Sequence, residues 1–212
     1  MSKLIPAFPL QIVVFPEETL NLHIFEPRYL EMIEYCNSQK SIFGMPVFLN
    51  NEISKFGTTI ELLSVEKIYE TGEIDIKCIG RNPFEVVNFY KESFPKLYPS
   101  VSIDLLNFSI ENADPTKMKR IKFQFAELQD VLKTDKQIDD FYGDGLSFKL
   151  GHYLALSIIQ KIKLLTIAEE NERLDFIISH LDSILPILQN AEETKEKIRS
   201  NGHFRNFEAF DY

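Results

Sequence analysis

The chain has 212 residues, 44% hydrophobic and 26% charged, with a net charge of −9. That length suits one large domain or two small ones packed together, with enough apolar residues for a core. The acidic balance opposes general attraction to nucleic-acid phosphates or anionic membranes, and no apolar run reaches the ~20 residues that span a bilayer.

Pro6 and Pro9 fall where the apolar stretch of a secretory signal would sit, so a cytoplasmic location is expected. The first half reads as strands. Leu10 to Phe15 is an apolar run that predicts a strand, and Pro16-Glu17-Glu18 a turn. Thr19 to Ile24 alternates, with Leu20, Leu22 and Ile24 on one side and Thr19, Asn21 and His23 on the other, the period of a half-buried strand. Pro27 suits the first turn of a short helix striped by Tyr29, Leu30, Ile33 and Cys36. Strand character resumes at Ile42-Phe43, Val47 to Leu49 and Ile60 to Tyr69. The alternation slips between Leu62 and Leu63, which predicts a bulge. Thr71-Gly72 turns into Ile74 to Cys78. Gly80-Arg81-Asn82-Pro83 reads as a further turn, and Phe84 to Phe89 and Val101 to Leu106 complete the set.

From Asp114-Pro115, an N-cap followed by a first-turn proline, the period becomes helical. Met118, Ile121, Phe125, Leu128 and Leu132 mark one face. Thr134 to Gly145 reads as a polar loop. A second helix is expected with Leu146, Leu150, Leu154 and Ile158 along one side, then a short helical turn around Lys161 to Leu165. Leu174, Ile177, Ile178, Leu181 and Leu185 mark the buried face of a third long helix. A kink or break is expected at Pro186, followed by a polar helix that frays.

Four segments resemble the substrate-binding (N-terminal) domain of Lon proteases, in that family's order. They are Phe8 to Tyr29, above all His23-Ile24-Phe25-Glu26-Pro27-Arg28-Tyr29; Phe56-Gly57-Thr58 with Val65-Glu66-Lys67; Gly80-Arg81 with Phe84; and Leu164-Leu165 with Asn171-Glu172-Arg173-Leu174. The resemblance spans Leu4 to Leu188 and implies an α+β fold: an N-terminal curled β-sheet or pseudo-barrel of the PUA-like type, then a C-terminal α-helical bundle. With the period change it divides the chain into 1–110, 114–200 and a tail 201–212. No continuation into the long coiled helix of full-length Lon is seen.

Catalytic patterns are lacking. None of the eight glycines is followed by lysine, so there is no phosphate loop. The serine–lysine peptidase of Lon lies in a domain outside this resemblance. The histidines, His23, His152, His180 and His203, do not form a zinc-protease motif, and there is no Gly-x-Ser-x-Gly elbow. Ser93 and Lys96 share a penicillin-binding-type spacing, but Pro95 interrupts it. Asp139, Asp140 and Asp144 read as a solvated acidic loop rather than a cation site, and Lys117, Lys119, Arg120 and Lys122 as a solvated helix face. Cys36 and Cys78 are too few for a disulfide framework or zinc knuckle. No cofactor, metal or catalytic residue is therefore expected.

The resemblance implies a non-catalytic module that recognises unfolded or exposed hydrophobic protein segments, as an adaptor or regulator of an ATP-dependent protease or as a holdase. His23, Phe25, Glu26, Pro27, Arg28 and Tyr29 would border its groove. The residues also allow a structural role for that motif: Glu26 at a helix start, Arg28 paired to an acid, Phe25 and Tyr29 stapling helix to sheet. Two alternatives stay open, a PUA-like nucleic-acid module and a small-molecule binding protein.

Overall fold

The computed structural model describes residues 2–92, 95–134 and 143–203. Six strands and five helices follow in the order β1 (Lys3–Pro6), β2 (Thr19–Ile24), α1 (Pro27–Gln39), β3 (Phe43–Leu49), β4 (Glu52–Ile68), β5 (Ile74–Tyr90), β6 (Ser100–Leu105), α2 (Pro115–Leu132), α3 (Leu146–Leu150), α4 (Ile158–Thr166) and α5 (Glu170–His203). The strands form one antiparallel sheet in the order β1-β6-β5-β4-β3, with β2 paired to β5. Parallel bridges Ala7–Gly44 and Leu10–Val47 bring the chain after β1 against β3. The amides of Phe8 and Phe48 donate to the carbonyls of Gly44 and Leu10, each at 2.8 Å, and curl the sheet into a pseudo-barrel. The expected α+β architecture is present.

The locally signalled elements formed as expected. In β2, Ile24 is buried and Leu20 and Leu22 half-buried, while Thr19, Asn21 and His23 are exposed. The slip at Leu62 and Leu63 is a register shift between Leu62 and Ser64. Asp114 caps α2 by accepting the Thr116 amide at 2.7 Å. All five residues expected on the buried face of α5 are buried.

Several expectations failed where distant partners decide. Leu10 to Phe15 is not a ladder strand. Its backbone groups are met piecemeal: the Leu10 carbonyl accepts the Phe48 amide and the Phe15 carbonyl the Glu18 amide, the Phe15 amide donates to the Glu18 carboxylate (2.8 Å), and the Thr58 hydroxyl donates to the Val14 carbonyl (2.5 Å). Val13, Val14 and Phe15 are free to plug the core.

The expected turn Gly80 to Pro83 is the middle of β5. Thr59 bridges it, its hydroxyl oxygen accepting the Asn82 amide (2.9 Å) and donating to the Asn82 carbonyl (3.3 Å), and the facing strand shifts register between Thr58 and Ile60. Gly80 is required because a Cβ there would lie 2.3 Å from the Phe15 carbonyl oxygen.

The expected second helix is split into α3 and α4. Ser157 starts α4 afresh with a capping box, its amide donating to the Gln160 side chain and its hydroxyl accepting the Gln160 amide. Leu132, expected on the buried face of α2, is 44% exposed, because the helix stops there and Lys133 turns left-handed.

Pro186 does not break α5, which runs on past Leu188 to His203. Proline is tolerated here because it lies on the exposed face, where water can satisfy the freed Asp182 carbonyl. Residues 204–212 of the expected tail, like Asp139, Asp140 and Ser93, lie outside the described residues.

While α1 packs in the sheet's own cluster, the helices α2, α3 and α4 pack with α5 in one apolar cluster that takes in Val13, Phe15 and Val47 of the first half. At its centre is Arg173, wholly buried and ion-paired to the equally buried Glu170 at 2.7 Å. All five guanidinium hydrogens have acceptors. Nε donates to Ser147 Oγ (2.8 Å), one terminal nitrogen to the carbonyls of Ile167 and Ala168, and the other to Glu170 and the Ser109 carbonyl. The group also lies 4.2 Å from the Phe148 ring centroid.

Arg173→Met leaves the Glu170 carboxylate buried and unpaired. A loss of about 3–5 kcal/mol is expected in urea denaturation; a loss under about 1 kcal/mol would show that the network stabilises little.

Candidate functional site

The motif His23 to Tyr29 spans the junction of β2 and α1, and the junction sends its residues to different places. Tyr29 is buried, its ring 4.2 Å from that of Phe8. Arg28 pairs with Glu26 at 2.7 Å and lies 4.6 Å from the Tyr29 ring centroid. Glu26 occupies the N-cap position without a side-chain capping bond, because Arg28 holds it. Pro27 opens the helix as expected. Phe25 is 61% exposed and does not staple helix to sheet; its ring lies 6.1 Å from that of His23.

His23 faces the β4–β5 hairpin. Its Nδ1 lies 2.7 Å from Asp75 and its Nε2 3.3 Å from Glu73. The Tyr69 hydroxyl donates to the other Asp75 oxygen at 2.7 Å. The hydrogen bond to Asp75, then the charges of Asp75 and Glu73, hold the imidazole above its ordinary 6.5. Its own bond to His23, then that from Tyr69, holds Asp75 below the usual carboxylate range.

Several clefts lie beside these elements, four of them of about 310 Å³ or more. One of about 460 Å³ is lined by Asn21, Leu22, His23, Glu66, Asp75 and Ile76. A second, about 490 Å³, has Arg28 and Tyr29 on its wall with Phe48 and Phe89. A third, about 480 Å³, runs along β1 and is lined in part by Leu4, Tyr35, Tyr90 and Lys96. The fourth, about 310 Å³, lies in the seam between sheet and helices, where Pro16 and Thr19 meet Ile110, Phe148, Lys149 and Tyr153. The motif thus borders two separate clefts, and Phe25 lines neither.

Cys36 and Cys78 are buried, and His23, His152 and His180 are held by neighbouring groups. Burial pushes the thiols of Cys36 and Cys78 up to about 11 and about 12, so neither is a thiolate at neutral pH. Both nitrogens of His23 face carboxylates. His152 Nε2 donates to Glu18 (2.9 Å), and its Nδ1 accepts from Lys161 (3.0 Å). His180 Nε2 donates to the Leu154 carbonyl (2.8 Å), and its Nδ1 accepts from Gln160 (3.3 Å). Each of these rings serves as a structural bridge, with no nitrogen left for a hydroxyl or a water. Among the described residues no group of three or more His, Cys, Asp or Glu is placed to hold a metal ion, and no helix is long and apolar enough to cross a membrane.

The basic cluster on α2 is partly neutralised within the fold. Lys117 pairs with Asp175 (2.7 Å) and Arg120 with Asp182 (2.8 Å) on α5.

Comparison with known proteins fits this fold. The model of the ATP-dependent protease La (LON) substrate-binding domain matches residues 4–183. The crystal structure of a Lon N-terminal domain protein from Xanthomonas campestris superposes with a TM-score of 0.65 at 21% identity, over 84% of this chain and 98% of that one. The N-terminal domain of a Mycobacterium avium complex Lon protease gives 0.58 at 15% identity, over 85% and 99%. Among curated proteins none matches this chain.

The His23 bridge sets a pH dependence with a definite sign. Because its folded pKa lies above 6.5, its stabilisation is whole below 6.5 and fades as pH rises through the folded value. Asp75 acts in the opposite window, its contribution present above 3.8 and lost as pH falls through its lowered value. An NMR titration should place the His23 midpoint above 6.5, and Asp75→Asn should move it down; a midpoint indifferent to that change would refute the pairing.

Proposed function

The chain belongs to the LON substrate-binding domain family, and on that premise we propose that it is a non-catalytic recognition module for unfolded or exposed apolar protein segments. It works in the cytoplasm as an adaptor or regulator, alongside an ATP-dependent protease. The observation that carries this reading is the family match over residues 4–183, which takes in the whole curled sheet and most of the helical part.

The surface chemistry supports it. Apolar side chains remain exposed beside the clefts: Leu4 (63%) and Tyr90 (45%) at one, Phe48 (37%) at another. Side chains of this kind take up client residues by removing them from water. Of the motif residues His23, Phe25, Glu26, Pro27, Arg28 and Tyr29, His23 lines one cleft and Arg28 and Tyr29 another, while the exposed Phe25 stands beside His23.

A nucleic-acid role finds less support. It needs aromatic faces open to bases beside free cations. Lys96 covers the ring of Tyr35 at 4.3 Å, Tyr98 is 2% exposed, and two α2 cations are spent on α5.

The test is fluorescence anisotropy of labelled lysozyme, its cysteines reduced and carboxamidomethylated so that it stays unfolded. Saturable binding that persists at about 1 M salt, where charges are screened beyond about 3 Å, is the expected result. Absence of saturation at any salt concentration would remove general client recognition.

A further inference from the structure

Two edges of the sheet carry the usual guards against strand addition. β1 holds Lys3 and Pro6, and lysine and proline both discourage a further strand. Beyond the reach of β3, β4 carries register shifts at Leu62/Ser64 and Val65/Lys67, and bulges twist an edge away from partners. β2 has neither device. Its sequence, Thr-Leu-Asn-Leu-His-Ile, contains no proline, lysine or acid, and its register with β5 is unbroken from Thr19 to Ile24.

The phase of that ladder shows which backbone groups are left over. The Gly80 amide donates to the Glu18 carbonyl at 2.9 Å. With Thr19 opposite Ile79, alternation directs the amides and carbonyls of Leu20, Leu22 and Ile24 toward β5. Those of Thr19, Asn21 and His23 therefore point away from the sheet. All three residues are exposed, and β2 pairs with β5 alone.

We propose that the free edge of β2 is where a client segment binds, adding itself to the sheet as a further strand of about six residues. This rests on the recognition reading above and locates its site. Chemistry at the two ends of the edge defines the partner. At the His23 end, the sheet face running from β2 across β5 to β4 bears the carboxylates Asp75 and Glu66, Glu73 lies on the far side of the imidazole, and Lys67 is held over the Tyr69 ring. This end suits a cationic side chain. At the Thr19 end lies the seam cleft, walled by Ile110, Phe148 and Tyr153, which suits an apolar one. The partner is an extended segment carrying an apolar residue and, about 13–17 Å along at 3.3 Å per residue, a lysine or arginine. Main-chain bonds give affinity largely independent of sequence, and the two ends bias the choice.

The test uses the full chain and two probes. The first is an octapeptide of alternating valine and threonine with lysine at both termini, and its twin with glutamate there. In NMR hydrogen exchange, the lysine peptide should slow the amides of Thr19, Asn21 and His23 while leaving Leu20 and Leu22, already bonded, unchanged. The glutamate twin should bind about tenfold more weakly. The second probe is the unfolded lysozyme, titrated into wild type and Asn21→Pro, a change that removes an outward amide without touching the β5 ladder; about a tenfold loss is expected. Lysozyme binding with unprotected β2 amides, or undiminished in the variant, would overturn the edge site and leave the recognition reading standing. If wild type binds neither probe, both fail together. The exchange measurement decides even if the variant does not fold.

Discussion

The helical half is organised around one buried cation. Arg173 ties the first turn of α5 to Ser147 on α3, to the carbonyls of Ile167 and Ala168 just before α5, and to the Ser109 carbonyl leaving the sheet. A buried ion pair is not in itself a strong source of stability, since desolvation offsets most of the attraction. What this one fixes is position. Its guanidinium lies against Phe148, whose ring stacks on Phe15 at 5.4 Å. Phe15 is in turn closely bounded by Gly80 and Gly151, where an added Cβ would come within 2.3 Å of it. The contact runs unbroken from α5 to the middle of β5, so the seam cleft and the start of β2 are placed by the same set of groups.

The polar groups of the molecule are largely engaged with one another. Ion pairs join α2 to α5 and β5 to β4 and the turn before β2, where Arg81 holds Glu61 and Glu17. The rings of His23, His152 and His180 bridge elements. What remains for a partner is chiefly exposed apolar surface and unpaired backbone, which bind without demanding one sequence, with the carboxylates around His23 as a bias. That is the property a recognition domain for varied clients requires.

How much was legible in the sequence follows from the range of the forces. β2, the start of α1, the bulge after Leu62, the Asp114 cap and the buried stripe of α5 are written in residues a few positions apart. Sequence reasoning did not anticipate β1, the closure onto β3, or β5 running through Gly80 and Pro83. Each depends on partners far along the chain, as Asn82 depends on Thr59. Arg173 was visible as part of a motif, yet nothing local distinguishes a buried clamp from a surface arginine. The block His23 to Tyr29 was recognisable, but a strand-to-helix junction rotates successive side chains apart, so its members could not form a single wall. That β2 lacks a second neighbour is a fact of topology, absent from its own six residues.

The closure of the barrel also has a consequence in time. Lys3 lies opposite Ile103, so β1 has no partner until β6, the last strand of the sheet, emerges from the ribosome. At about 5–20 residues per second, roughly 100 residues take about 5–20 s. Contacts this distant in sequence also form slowly once available. Through that interval Ile5, Ala7 and Phe8, all buried in the finished molecule, belong to an extended apolar segment open to water. The nascent chain then passes through a state of the same kind as the clients proposed for the finished fold.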